Sequence, residues 1–197
     1  MDKRVATVTR ETKETRVSVT VGVDGAGRFE VNTGVGFFDH MLSHVARHGM
    51  LDLTVVAQGD LQVDAHHVVE DVGIALGQAL SKALGDKRGL RRYGWGAAPM
   101  DEALVTVAVD LSGRPALEWR VDLPAARVGG FDVELAREFF QALANNAAIT
   151  VHFHQLAGRN THHILESAFK SFGRALDEAI RLDPRLGDAV PSTKGTL

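Results

Sequence analysis

Among its 197 residues the chain has no cysteine, which excludes a disulfide framework and thiolate chemistry and fits a reducing cytosol. It also lacks a long apolar run. The longest near-continuous stretch, 103–109, is already broken by Thr106 and falls far short of the ~20 residues of a membrane helix. Residues 1–14 contain no apolar block that could serve as a secretory signal, so a cytoplasmic protein without a membrane partner is expected. Nor does one charge dominate. With 22 Lys+Arg against 25 Asp+Glu the net charge is -3, which gives no general pull toward nucleic acid. A GxxxxGK loop is missing too, so a nucleotide-phosphate cradle is not expected. What is present is ordinary globular composition, 45% hydrophobic and 24% charged, together with nine histidines. The histidines are the first feature that asks for chemistry.

The length fits one domain or two small, closely packed halves. Residues 4–9 and 16–23 are rich in Val and Thr, and 28–32 follows a turn at 24–27, so the segment reads as a hairpin. Phe38, Met41, Leu42 and Val45 then have helical spacing; Leu51, Leu53 and Val55 alternate as a strand. Val69, Val72, Leu76, Leu80 and Ala83 mark a long amphipathic helix. The basic, Gly-rich stretch 86–96 reads as a connector, giving a first half over 1–90 and a second over 91–197. Past it the order recurs: strands at 104–111 and 117–123 joined by a turn, a helix through Leu135 and Phe139, a strand through Val151, and a helix through Phe169 and Leu176. Each half is expected to be strand, strand, helix, strand, helix.

Constant offsets support a duplication. DAHHVVE at 64–70 meets NTHHILE at 160–166 at a shift of 96 (160 minus 64). Upstream, a shift of 98 carries Met41, Leu42, Val45, Leu51, Leu53 and Val55 onto Phe139, Phe140, Leu143, Ile149, Val151 and Phe153.

Asp64 and Asn160 are good helix N-caps, which puts each His pair in a first turn. Residues four apart share a helical face, so His66 and Glu70 can chelate one ion, as can His162 and Glu166. The second His of each pair sits about 100° further round and must serve a different ion. Two such helices related by a pseudo-twofold axis make two metal sites: His66 and Glu70 with His163, and His162 and Glu166 with His67. The shift of 98 places His40 opposite Glu138, and both are candidates to complete the sites. His152 and His154, on one face of a strand, are alternatives. Imidazole with carboxylate suits Zn, Fe, Co, Ni or Mn alike.

At these residues the chain resembles the imidazoleglycerol-phosphate dehydratase family. The match is carried by RETKET (10–15), FFDHML (37–42), RHG (47–49), DAHHVVED (64–71), RYG (92–94), NTHHILESAFK (160–170) and PSTKG (191–195). The resemblance implies an α+β fold of two duplicated halves, ribosomal protein S5 domain 2-like, with helices on one face of β-sheets. It also implies two Mn ions per active site and a cage of twenty-four subunits built from trimers. Carried over by position, His40, His67, His162 and Glu166 hold one metal, and His66, Glu70 and His163 hold the other. Glu138 stands where several members have the fourth ligand as His, and His44 where many carry Gln.

The implied reaction is dehydration of imidazoleglycerol phosphate to imidazole-acetol phosphate in histidine biosynthesis. No carbonyl acidifies the carbon that loses its proton, so an electron source must expel the hydroxide. A ring held by two metals through its nitrogens can act as imidazolate and eliminate hydroxide through a diazafulvene-like intermediate. The resemblance makes Glu14 an acid/base, with His67, Glu70 and Glu166 also in the catalytic set. The same four groups, with His40, His48, His66 and His162, surround the substrate in this reading, apart from Glu166. Arg92, Arg114, Lys170, Ser192, Thr193 and Lys194 match the phosphate contacts. A metal-storage cage and a dinuclear metallohydrolase are the alternatives. The first leaves the phosphate-type residues unexplained and the second lacks a bridging Asp in either HHxxE copy.

Overall fold

A computed structural model describes residues 4–195. The first half runs β1 (Val5–Glu11), β2 (Thr15–Gly22), β3 (Phe29–Asn32), α1 (Gly36–His48), β4 (Asp52–Gly59) and α2 (His66–Leu84). The second runs β5 (Tyr93–Met100), β6 (Ala103–Asp110), β7 (Ala116–Arg120), the short pair β8 (Arg127–Val128) and β9 (Phe131–Asp132), α3 (Leu135–Ala147), β10 (Thr150–Ala157) and α4 (Thr161–Ile180). The two four-stranded sheets have one topology, β1-β2-β4-β3 and β5-β6-β10-β7. In each, the last strand is antiparallel to the second and parallel to the third. The α+β class and the duplicated sheet-and-helix halves are those the sequence implies.

Three local expectations change. The segments either side of 24–27 do not pair as a hairpin, because β4 lies between β2 and β3. The turn is instead a crossover wrapped around the start of β4: Asp52 Oδ1 accepts from the Ala26 and Arg28 amides at 2.9 and 3.2 Å. The same holds for β6 and β7, which β10 separates. Alternation fixes which face of a strand is buried, not which strand is its neighbour.

The supposed connector is also partly a strand, β5, which takes in the second sheet the place that β1 holds in the first. Gly94 and Gly96 made it look like a loop. They lie two apart on the face pressed against α4, where an added β-carbon would stand 1.9 Å from the Ala175 carbonyl oxygen and 2.1 Å from that of Ser171. Glycine here allows close approach, not a turn. Two buried hydroxyls fasten the same contact. Ser171 Oγ accepts from Ala98 N at 2.9 Å and donates to Val105 O at 2.7 Å, while Ser167 Oγ accepts from Val105 N at 2.8 Å and donates to Ala98 O at 2.7 Å. The helix thereby supplies the partners of buried backbone groups on both strands.

The helices lie between the sheets. α2 packs on β1 and β2, α4 on β5 and β6, while α1 packs against α4 and α3 against α2. A helix of each half therefore leans on the long helix of the other. Both crossings use a glycine: a β-carbon at Gly173 of α4 would lie 2.8 Å from Val45 O of α1, and one at Gly77 of α2 would lie 2.7 Å from Leu143 O of α3. The shift of 96 maps Gly77 onto Gly173, and the shift of 98 maps Val45 onto Leu143. The two crossings are thus copies of one contact. Around them a single core joins both halves, with Phe139, Phe140, Phe153, Phe169 and Phe172 fully buried.

An exposed helical Gly→Ala change gains up to about 1 kcal/mol. Gly173→Ala should reverse that sign and lose about 1–3 kcal/mol through overpacking at the crossing. Gly36→Ala, with nothing within 4 Å of the added methyl, should stay within about 1 kcal/mol of the parent. Urea midpoints of the three proteins check this.

Candidate metal centre

The crossing of α1 and α4 brings two rows of polar side chains face to face. On α1 the row is His40, His44 and His48; on α4 it is His162, Glu166 and Lys170, every member four residues from the next. Asn160 starts α4 by accepting the His162 and His163 amides at 2.9 and 3.4 Å. At α2 the cap differs: the helix starts at His66 after Ala65, and Asp64 reaches the His66 amide at 2.8 Å from one residue further back.

Glu166 is the centre of the cluster and is nearly buried. Its Oε2 lies 3.2 Å from His162 Nε2 and 3.4 Å from His40 Nε2, while Oε1 takes Lys170 Nζ at 2.5 Å. Burial alone would raise its pKa. The Lys170 ammonium and the His44 and His162 rings outweigh that and hold the carboxyl at about 2. His44 Nε2 lies 3.5 Å from Glu166 Oε1 and 3.3 Å from His40 Nε2. Burial, despite the attraction of Glu166, pushes its pKa down to about 4, so it is a neutral imidazole near neutral pH. His48 is also pushed down, by burial and then by Lys170.

His40, His162 and Glu166 offer three ligand atoms within 4.8 Å of one another. Ligand atoms about 2.2 Å from an ion and at right angles are about 3.1 Å apart. The spacings of 3.2 and 3.4 Å to Glu166 Oε2 fit that geometry. The donor set suits a divalent ion, with the second carboxylate oxygen already occupied by Lys170.

The expected sets of four are not gathered in one chain. α4 has α1 as its helix partner and α2 has α3, so the second histidine of each pair is aimed elsewhere. His67 Nδ1 lies 3.0 Å from Asp60 Oδ2, and His163 Nδ1 lies 2.7 Å from Glu102 Oε2. Both histidine pKa values are raised, in each case first by that hydrogen bond. Glu102 is held at about 2, by His163 first and then by the Asn160 and Arg159 amides.

The second crossing offers the counterpart site. Glu138 stands five residues before Leu143 as His40 stands five before Val45, and His66 and Glu70 precede Gly77 by the same steps as His162 and Glu166 precede Gly173. The backbone register is therefore common to both. The Glu138 side chain, however, is partly exposed and paired with Arg137 Nη1 at 3.1 Å. His152 and His154 stack with ring centroids 6.2 Å apart on the sheet face opposite the buried Val151 and Phe153, away from the helices.

Glu14 sits in the exposed β1–β2 turn, and its charge contributes to the raised pKa of His67. Thr12 Oγ1 accepts from the Glu14 and Thr15 amides at 3.1 and 3.0 Å, and the Thr15 hydroxyl donates to buried Asp71 of α2. Arg10 Nε donates to the same carboxylate at 2.7 Å. The turn is thereby tied to the helix that carries Glu70.

The phosphate-type residues fall into two places. Arg92 Nε lies 2.7 Å from Asp110 Oδ1, its Nη1 donates to Pro191 O at 2.8 Å, and Arg114 Nη2 lies 3.9 Å from Asp110. The tail turns here: the Lys194 amide donates to Ser192 Oγ at 3.2 Å, and Thr193 lies between them. Lys170 contacts Met100 Sδ at 3.6 Å, at the far end of the strand that begins beside Arg92. Eight strand residues span roughly 26 Å, too far for Arg92 and Lys170 of one chain to grip one phosphate.

Sequence reasoning undervalued His44 and missed Asp60, Glu102 and Asp71. The spacing of four through His40, His44 and His48 signals the first. The carboxylates meet the histidines across 7 and 61 residues and leave no local pattern.

Known proteins resemble this chain over nearly its whole length. The family profile described as imidazoleglycerol-phosphate dehydratase matches residues 33–176. The imidazoleglycerol-phosphate dehydratase of Ruegeria pomeroyi is 60% identical over 194 residues, 98% of this chain and 100% of the relative. That of Thioalkalivibrio sulfidiphilus is 56% identical over 197 residues, all of both chains. The crystal structure of the Staphylococcus aureus dehydratase superposes with a TM-score of 0.82 at 41% identity, covering 91% of this chain and 99% of that one. The Pyrococcus furiosus enzyme, in complex with (S)-C348, gives 0.83 at 39% identity, covering 96% and 100%. With nearly the full length matched, the chain belongs to the imidazoleglycerol-phosphate dehydratase family, the dehydratases of histidine biosynthesis.

Proposed function

We propose that this dehydratase works with two Mn ions per active site, each site completed by a histidine from a neighbouring subunit. The observation that carries this reading is the trio of His40, His162 and Glu166, whose donor atoms are spaced as neighbouring ligands of one ion. His67 is the expected fourth ligand, yet in its own chain it lies beside Asp60. Glu138, His66 and Glu70 make the counterpart set, short of His163. Sites completed between subunits require self-association, in keeping with the large cage built from trimers that the sequence resemblance implies. The reading carries with it the cytoplasmic location expected of an amino-acid biosynthetic enzyme. No helix among the described residues is long and apolar enough to cross a membrane.

The ions, when bound, would hold the substrate's imidazole ring and stabilise its anionic form. The rest falls to the chain's own groups. Elimination removes hydroxide from the carbon attached to the ring and a proton from the next carbon, leaving an enol that becomes the ketone. Glu14, on an anchored turn within electrostatic reach of His67, supplies a carboxylate able to take or return that proton. Glu166, kept ionised, binds through one oxygen while Lys170 fixes the other. Arg92 is held by Asp110 and by the tail carbonyl of Pro191, which suits it to place Ser192, Thr193 and Lys194 beside a phosphate. Because Lys170 lies at the other end of β5, it meets the phosphate of a given substrate only if Arg92 comes from another subunit, and the same assembly serves both needs.

Chelator-stripped protein should lose turnover of imidazoleglycerol phosphate to the ketone, and added Mn should restore it. Unchanged turnover in verified metal-free protein, or release of free phosphate instead, contradicts the reading. Glu138→Ala should lower Mn occupancy at one of two sites, measured by metal analysis of the folded assembly, while the site of His40, His162 and Glu166 stays filled. Equal occupancy of both sites in the variant removes Glu138 from the ligand set.

A further inference from the structure

The two turn glutamates of the halves have parted company. Strands β2 and β6 correspond at a shift of 88, which carries Val17, Val19 and Val21 onto Val105, Val107 and Val109, all buried. The pairings agree: Val19 sits opposite Val55, and Val107 opposite Phe153. By the same shift Glu14 of the β1–β2 turn corresponds to Glu102 of the β5–β6 turn. Yet Glu102 is bonded through both oxygens. Oε1 accepts from the Asn160 and Arg159 amides at 2.8 and 3.1 Å, and Oε2 faces His163 Nδ1 at 2.7 Å. Glu14 is exposed, and among the described residues its side chain has no hydrogen-bond partner while its backbone amide donates to Thr12 Oγ1.

A second pair of positions accounts for the difference. Asp60 follows β4 directly, and both of its oxygens lie within 3.2 Å of His67 Nδ1. The shift of 98 carries Asp60 onto Gly158, which has no side chain to offer. In the first half Asp60 serves the histidine and the turn glutamate stays free. In the second half the glycine leaves that place open and the turn glutamate fills it. Two unrelated positions thus deliver the same contact to the same atom of the second histidine in each HHxxE copy.

The contact has a chemical consequence. An ionised carboxylate has no proton to give, so Nδ1 must be the donor and a neutral ring must carry its lone pair on Nε2. A hydrogen-bonded carboxylate behind a ligating histidine fixes both tautomer and ring orientation. Asp101 Oδ2 lies 4.0 Å from His163 Nε2, beyond hydrogen-bonding distance.

We propose that Asp60 and Glu102 are positioning residues, one for each metal site, that aim Nε2 of His67 and His163 at ions held by a neighbouring subunit, and that Asp60 thereby leaves Glu14 free for proton transfer. This rests on the reading of His67 and His163 as ligands given above. Asp60→Asn and Glu102→Gln replace an obligate acceptor with an amide whose NH2 can face the ring and favour the opposite tautomer. In the full-length assembly, competition titration with Mn should show two sites in the parent. Each variant should bind at one of them roughly ten- to a hundred-fold more weakly, with the metal-free melting midpoint unchanged. A purely structural role would lower the midpoint and leave affinity alone. Parent-like Mn affinity at both sites in both variants overturns the proposal. If either variant fails to assemble, ring 15N spectra of histidine-labelled, metal-free parent protein decide: His67 and His163 should carry the proton on Nδ1, and Nε2–H rings contradict it. A parent protein that binds no Mn defeats the reading of these histidines as ligands, which is a separate failure.

Discussion

The close passage of helix over helix at Gly77 and Gly173 governs where the candidate ligands that face the crossings stand. A side chain at either position would collide with the carbonyl of the crossing helix, at Leu143 or Val45. Without one, α1 of the first half settles onto α4 of the second, and α3 of the second onto α2 of the first. Each crossing then holds its polar row a fixed number of turns from the glycine. His40 reaches Glu166 and His162 across one crossing, and the backbone places Glu138 in the same relation to Glu70 and His66 across the other. The duplication is therefore more than two similar folds side by side. The candidate group draws His40 from the first half and His162 and Glu166 from the second.

Electrostatics then distinguishes the atoms. Burial pushes the pKa of Glu166 up, and Lys170 with the surrounding imidazoles outweighs that and keeps the carboxylate ionised. One oxygen serves the ammonium and the other faces two histidine nitrogens. The second histidine of each pair has its Nδ1 against a carboxylate, which in the proposed reading leaves Nε2 as the ligating atom. Divergence after duplication shows at Glu138 against His40 and at Glu14 against Glu102, where equivalent backbone carries different chemistry.

Much of this was written locally in the sequence. Helical spacing exposed both long helices, and the repeated HHxxE at a constant shift exposed the duplication and the ligand types. The motif residues together point to the family that the comparisons identify. Strand neighbours were not legible, because the turns at 24–27 and 112–115 have hairpin composition but cross over the ends of β4 and β10. The fifth strand was hidden by Gly94 and Gly96, whose role depends on a helix some 80 residues later. Spacing placed His67 and His163 on a different face from their neighbours. It could not show that α1 and α3, and not the opposite long helix, would occupy the crossings, nor that Asp60 and Glu102 would stand behind the rings.

The most direct test is an anomalous-difference map at the Mn edge from crystals of the Mn-loaded protein. Two peaks should appear per active site: one on His40, His162 and Glu166 with Nε2 of His67 from another subunit, the other on His66, Glu70 and Glu138 with Nε2 of His163 from another subunit. Peaks bound wholly by residues of one chain, or density only at His152 and His154 on the outer sheet face, would contradict the sharing of sites between subunits.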